Sequence, residues 1–592
     1  MKYINLTRDD VLLALKSSNA PISYSNEDRR RILSNPNLSK LLSDLQSFAK
    51  SKLEEPTYSL SFSNFKLYEE IGNRSKFQKE YFSHRAKLES FALMAWIYED
   101  EDYLHALEDA IWAICDEYSW PVPAHMGGKS LSLYQAEHHG IDLFAAETGQ
   151  AFAEILSLLG DKLHPTVVMR MKKRLEERIF GRLDQPFAWK EVKTCNWAAV
   201  CAGSVGMAAM YEIEDAERLA DILMICFTSM DRFIGGYTED GVCTEGISYW
   251  GYGFGYFKAF ADLLIKRTGG KINLFDIPKV HLMATFIGKV FFPGGRNISF
   301  SDGGSRTVIL PSDISFIKTI YPDMSIPTKE AFCFYYPEDT NHRFALALRT
   351  FIEMQSEPYP EDIGGENTHI FPAAQWYLST AKSGVSLAAK AGHNAEAHNH
   401  NDVGSFQIFK NGEQILADIG AGVYDKFYFG ENRYSIFCAG SQSHNVPIIN
   451  GKTQKVGREF CAENTVIDQN GLHFDFQTAY GDPNLQRLHR DLVFDNESGT
   501  VMLEDDFTFS EIPTALTERF VTEFEPKIGE GSVLIDANGQ SMELCFDASA
   551  FTPSVYVEHK SRGGENFESI SYCIDFSPKH LSQNMHFSMV IR

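Results

Sequence analysis

Apolar residues recur at helical spacing through most of the first 350 residues and at strand spacing after about residue 370, so this chain must build two architectures in series. The runs Lys87–Tyr98 and Tyr103–Ile114 carry the helical pattern, and further helices are predicted over 142–160, 165–180, 196–212, 215–234, 250–268 and 279–291. Short breaks such as Gly160-Asp161 and Gly269-Gly270 separate several of them, which implies helical hairpins stacked as a solenoid or closed into a toroid. Beyond residue 370, Ser405–Lys410 and Glu413–Leu416 flank Asn411-Gly412, a strong hairpin signal because Asn-Gly suits a tight turn with positive φ. Short strands follow at Leu472–Phe476, Gly499–Glu504 and Ser541–Phe546, most simply an antiparallel β-sandwich. The expected division is therefore a helical domain over 1–360 and a β domain over 361–592. The linker falls in 353–370, where Pro358, Pro360, Gly364 and Gly365 cluster.

At 592 residues the chain exceeds what one core serves, in keeping with two domains. A net charge of −24 argues against a nucleic-acid partner, which selects a basic footprint. It also opposes an anionic polymer, unless a local basic cleft outweighs the overall field within a Debye length of about 8–10 Å. Lys190, Lys193, Arg306, Arg343 and Arg433 are the candidate cleft cations. No segment is long and apolar enough for a membrane helix. The first ten residues meet acidic side chains before any apolar run, so no secretory signal is expected. That reads as a cytoplasmic protein at face value, or a periplasmic or secreted one if a leader has been removed. The ten cysteines show no Cys-x-x-Cys pair and read as reduced core residues.

The densest chemical signal is Ala397-His398-Asn399-His400-Asn401-Asp402-Val403-Gly404-Ser405-Phe406, followed by Ala417-Asp418-Ile419-Gly420 and Ser443-His444-Asn445-Val446-Pro447. His400, Asp418 and His444 supply ligand types that a divalent metal selects; zinc is the default for two imidazoles and a carboxylate, with manganese or another divalent ion as the alternative. In an extended strand His398 and His400 would share a face, leaving His398 to a neighbouring cleft while His400 binds metal. Two blocks stand out in the helical half. Asn196-Trp197 opens an apolar helix, where an asparagine also serves as an ordinary cap. The block Asp240–Tyr256 places Tyr249, Tyr252 and Tyr256 at helical spacing, ordinarily a core stripe. Its glycines, costing about 1 kcal/mol each inside a helix, point to close approach of backbone or ligand. His138, His139 and His342 are further histidines that could line a cleft, and Asp302-Gly303-Gly304-Ser305-Arg306 reads as a loop carrying Arg306 towards it.

The blocks between about residues 390 and 455 resemble the C-terminal domain of the heparinase II/III-like polysaccharide lyases, including the run Ala417–Tyr424 and the tyrosine-rich stretch with Tyr428 and Tyr434. The resemblance is looser elsewhere. It implies an incomplete (α/α) toroid followed by an antiparallel β-sandwich. It also implies β-elimination on uronic-acid polysaccharides, with glycosaminoglycans such as hyaluronan, chondroitin sulfate and heparan sulfate first and alginate second. On that resemblance Asn196 neutralises the uronate carboxylate and Tyr249, with Tyr252 close behind, is the acid. His398, His342 or a tyrosinate is the base, while Trp197, His138, His139, Arg306 and Tyr434 contact substrate. The metal would be structural, orienting His398. A non-catalytic carbohydrate-binding protein and a metal-dependent hydrolase remain the alternatives.

Overall fold

The helix Asn196–Glu212 is apolar on every side and almost wholly buried, the signature of an inner helix. It packs against Leu143–Leu159, Ala216–Gly236 and Ile247–Arg267. Its glycines permit that approach: a Cβ on Gly206 would stand 2.4 Å from the Phe260 ring. Pro165–Arg178 instead buries Val167, Met171 and Leu175, one face of an outer helix. Inner and outer layers together form an incomplete α/α toroid, with helices where the sequence pattern places them. This computed structural model describes residues 1–18, 22–126, 140–355, 367–424, 428–430, 432–563 and 568–592. Among the described residues no helix is long and apolar enough to cross a membrane.

The β half contains a five-stranded antiparallel meander, Asn367–Phe371, Trp376–Thr380, Val385–Lys390, Phe406–Lys410 and Glu413–Leu416. An eight-stranded and a four-stranded sheet complete the sandwich. The predicted hairpin is present, with Lys410 paired to Glu413 and Asn411 and Gly412 at φ 47° and 85°. The first strand begins at Asn367, inside the stretch read as linker; Pro358, Pro360, Gly364 and Gly365 lie outside the described residues.

Val385–Lys390 is buried throughout because its sheet is covered on both faces. One face joins the sandwich core with Leu387, Phe406 and Phe474, and the other joins the helical core through Trp376, Leu378 and Phe409. Phe300 meets Trp376 at 4.9 Å between ring centroids, and Phe292 meets Phe409 at 4.9 Å. This apolar seam fixes the toroid against the loops at the edge of the meander, and the chemistry gathers there.

Candidate active site

The centre of the seam is a carboxylate contributed by the helical half. Asp302 is buried and all its acceptor capacity faces the β half. Its Oδ2 accepts from His398 Nδ1 at 2.7 Å and from the Tyr424 hydroxyl at 2.7 Å. Its Oδ1 accepts from His400 Nε2 at 3.0 Å, from Arg433 Nη2 at 2.7 Å and from the Tyr428 hydroxyl. Burial alone would raise this carboxyl; the hydrogen bonds from His398 and His400, with the Arg433 charge, reverse that and hold it well below the usual carboxylate range. The flanking backbone is bent into place: Ser301 and His398 sit at φ 61° and 55°, a region L-residues occupy when the surroundings demand it.

The convergence of His398 and His400 therefore has a different cause from the strand alternation expected. Their segment is a loop, and the two rings reach opposite oxygens of one carboxylate. Arg433 braces that loop through the carbonyls of His398 and Asn399, so it is a buried structural cation and no open cleft charge.

Tyr249, in the first turn of Ile247–Arg267, stacks on the His398 ring at 4.4 Å. Its hydroxyl lies 2.7 Å from that of Tyr424 and 3.3 Å from His398 Nδ1. Burial pushes its ionisation above tyrosine's ordinary range; the Tyr424 hydrogen bond opposes this and the Asp302 and Glu245 charges add to it. Tyr249 thus holds its proton, which fits an acid and disfavours a tyrosinate base. Asn196 is the first residue of its helix and is buried. It is not the cap: Cys195 holds that position, and the Asn196 backbone N–H donates instead to Glu245 Oε2 at 3.2 Å. Gly253 in the tyrosine helix is what admits it, since a Cβ there would stand 3.2 Å from Asn196 Cβ.

Several other expected site residues lie elsewhere. One turn beyond Tyr249, the Tyr252 hydroxyl donates to Glu147 Oε1 at 2.7 Å, and the Arg343 guanidinium lies over its ring at 3.9 Å. Arg343 is itself paired with Glu147 and Asp339, so it is not a free cation either. His342 stands beside them, stacked on Phe48 at 5.5 Å with Nδ1 3.6 Å from Glu89. The two sites expected to share one chemistry are thus distinct polar clusters. Arg306 is exposed and lies 3.6 Å from Glu413, directed along the surface. Lys190 donates to the Leu183 and Gln185 carbonyls, whereas Lys193 is exposed. Tyr434 is half-buried next to Arg433. Trp197 meets His125 edge-on at 5.0 Å and borders a groove of about 330 Å³ with Phe187 and Gln185. His138 and His139 lie outside the described residues.

Glu147 carries a pH signature. Burial pushes its carboxyl up to about 7, with Arg343 and the Tyr252 hydrogen bond working against the rise. A carboxyl whose folded value is raised favours the native state below its unfolded value, and that contribution is lost as pH climbs through the folded one. Denaturant titrations should show wild-type stability falling, relative to Glu147→Gln, between pH 4.5 and 7, by on the order of 1–3 kcal/mol. Parallel curves for the two proteins would refute this reading of Glu147.

His400, Asp418 and His444 come together beneath His398. One ligand atom from each lies within 4.8 Å of the others, and all three residues are buried. His400 Nδ1, Asp418 Oδ2 and both ring nitrogens of His444 have no hydrogen-bond partner, an expensive state for buried polar atoms that the 3.5 Å approach of His444 Nδ1 to Asp418 Oδ2 relieves only in part. His400 meanwhile turns its other nitrogen to Asp302, the carboxylate support that metal-bound histidines ordinarily have. The residues present therefore fit a divalent cation. Gly420 (φ 68°) closes the Asp418 turn against the Asp302 loop, where a Cβ would stand 2.0 Å from the Gly303 carbonyl oxygen.

Asp302 and Glu245 had no assigned role in the sequence reading. Asp302 was read only as part of a loop carrying Arg306, and its five side-chain partners lie 96 to 131 residues further along the chain. Glu245 sits inside the tyrosine block, where nothing about its spacing distinguishes it.

Residues 364–525 match the family model described as heparinase II/III-like, C-terminal. Comparison with curated proteins by sequence gives no match. The fold, over 99% of this chain, is similar to that of heparinase III, at 15% identity, 88% coverage of that chain and a TM-score of 0.65. It is similar also to heparan sulfate lyase HepC from Pedobacter heparinus, at 12% identity, 92% coverage of that chain and a TM-score of 0.54. Chondroitin AC lyase of Streptomyces coelicolor in complex with chondroitin sulphate matches at 8% identity, 82% coverage of that chain and a TM-score of 0.54.

Proposed function

We propose that this chain, whose residues 364–525 match the heparinase II/III-like C-terminal family, is a polysaccharide lyase acting on uronic-acid-containing chains by β-elimination. The observation that carries the reading is the stack of Tyr249 on His398 at 4.4 Å, read as an acid and a base from opposite halves of the fold, with buried Asn196 linked to the same ring through Glu245. The solved structures of similar fold, heparan sulfate lyase and chondroitin AC lyase among them, support the same class.

The reaction removes the C5 proton of a uronate, which is weakly acidic beside an ionised carboxylate. In this reading the Asn196 amide donates to that carboxylate and stabilises the enolate-like charge that develops on it. Asp302 holds the His398 proton on Nδ1, leaving Nε2 free to take the C5 proton. As the C4–O bond breaks, Tyr249 gives its proton to the departing glycosidic oxygen, and a C4=C5 double bond remains. Solvent then takes the C5 proton from His398 Nε2 and returns a proton to the Tyr249 oxygen, so both groups regain their starting forms. We assign the metal, zinc before manganese, to His400, Asp418 and His444, where its charge would hold the three side chains in register. Burial of all three ligands favours a structural ion over a catalytic one, which keeps an open position for substrate.

The substrate class is tested with a panel of hyaluronan, chondroitin sulfate, heparan sulfate and alginate, followed by ultraviolet absorbance of the conjugated C4=C5 product. New reducing ends without that absorbance would mean hydrolysis, and binding without either product would mean a carbohydrate-binding protein; each overturns the proposal.

A further inference from the structure

Glu245 takes part in no step above, yet it lies between the two groups that matter most. It sits in the turn Thr244–Gly246, which is pressed onto the Asp302 loop: the Ser301 hydroxyl donates to the Thr244 carbonyl at 3.0 Å. Gly246, at φ 116°, packs against Gly303, where a Cβ would meet backbone at 3.4 Å. From this turn the buried Glu245 side chain reaches two ways. Oε2 accepts the backbone N–H of Asn196 at 3.2 Å, closing a helix whose own cap residue makes no side-chain bond. Oε1 is buried without a hydrogen-bond partner and lies 3.9 Å from His398 Nε2, the edge of the ring opposite Asp302.

We infer that Glu245 is a positioning residue that ties the Asn196 helix start to the His398 ring across the two halves of the fold. The inference rests on the lyase reading for its catalytic consequence, but the tie itself is a property of the folded chain. Asn196 and His398 belong to different halves of the fold, and their separation must match the distance between a uronate carboxylate and its C5 hydrogen. One carboxylate gripping the helix start and facing the ring sets that separation, and misplacement by about 1 Å costs on the order of 10²-fold in rate.

Glu245→Gln keeps an oxygen for the Asn196 N–H but replaces the carboxylate facing His398; Glu245→Ala removes both. Glu245→Gln should fold with unchanged thermal stability and KM and lose about 10–100-fold in kcat. Glu245→Ala should lose kcat and also raise KM, because Asn196 shifts. Hydrogen exchange followed by mass spectrometry gives a readout independent of turnover: Glu245→Ala should quicken exchange in peptides covering 195–200 and 396–402 alike. Faster exchange in 195–200 alone, or wild-type kcat in Glu245→Gln, reduces Glu245 to a helix cap and overturns the inference. If the wild-type protein eliminates none of the test polymers, the exchange result still decides the tie while the lyase reading fails by itself.

Discussion

Tyr249→Phe should abolish most turnover while leaving the fold intact, a fall of at least the ~10²-fold typical of acid–base catalysis. The substitution keeps the ring stacked on His398 and deletes only the hydroxyl that bonds Tyr424. Tyr252→Phe makes the control: its hydroxyl serves Glu147 in the neighbouring cluster, so the variant should lose stability before it loses rate per folded molecule. The pair is measured by single-turnover kinetics beside thermal unfolding. An active Tyr249→Phe enzyme would remove the proposed acid from the site, and an inactive, stable Tyr252→Phe enzyme would move the acid one turn along the helix.

The second large effect concerns the three buried ligands. Purified protein should carry about one equivalent of a divalent metal by elemental analysis, and His400→Ala should carry almost none. The same substitution strips a donor from Asp302 and opens a cavity at the seam, so stability should drop by about 3–5 kcal/mol. Metal-free wild-type protein of undiminished stability would end the metal assignment, and the buried His444 Nε2, which has no hydrogen-bond partner, would then need another explanation.

The order of the architectures could be read from the chain because periodicity is local: a helix repeats every 3.6 residues and a strand every 2, whatever surrounds them. The Asn411-Gly412 turn was legible for the same reason, since the residues that need positive φ are the ones present. His400, Asp418 and His444 could be nominated because their residue types are rare together. What brings them together, a loop folded on Asp302, has no local trace. Spacing alone could not choose between Tyr249 and Tyr252, because both lie on one face of one helix. Only the docking of the β half decides which of them meets His398 and which is left to Glu147. His342 drew notice as an isolated histidine, and tertiary packing spends it on Phe48 and Glu89. Asp302 was invisible for the opposite reason: it is one of 79 acidic residues, and nothing beside it in sequence announces five distant donors.

That single carboxylate also limits how the molecule can move. Every donor on Asp302 comes from the other half of the fold, so parting the halves at this seam would expose an ionised acid and leave the Arg433 charge unmatched, a loss of the 3–5 kcal/mol order for one broken buried pair. The jaw is therefore riveted on this side. Whatever reaches Tyr249 and His398 must come and go while the two halves stay together at Asp302.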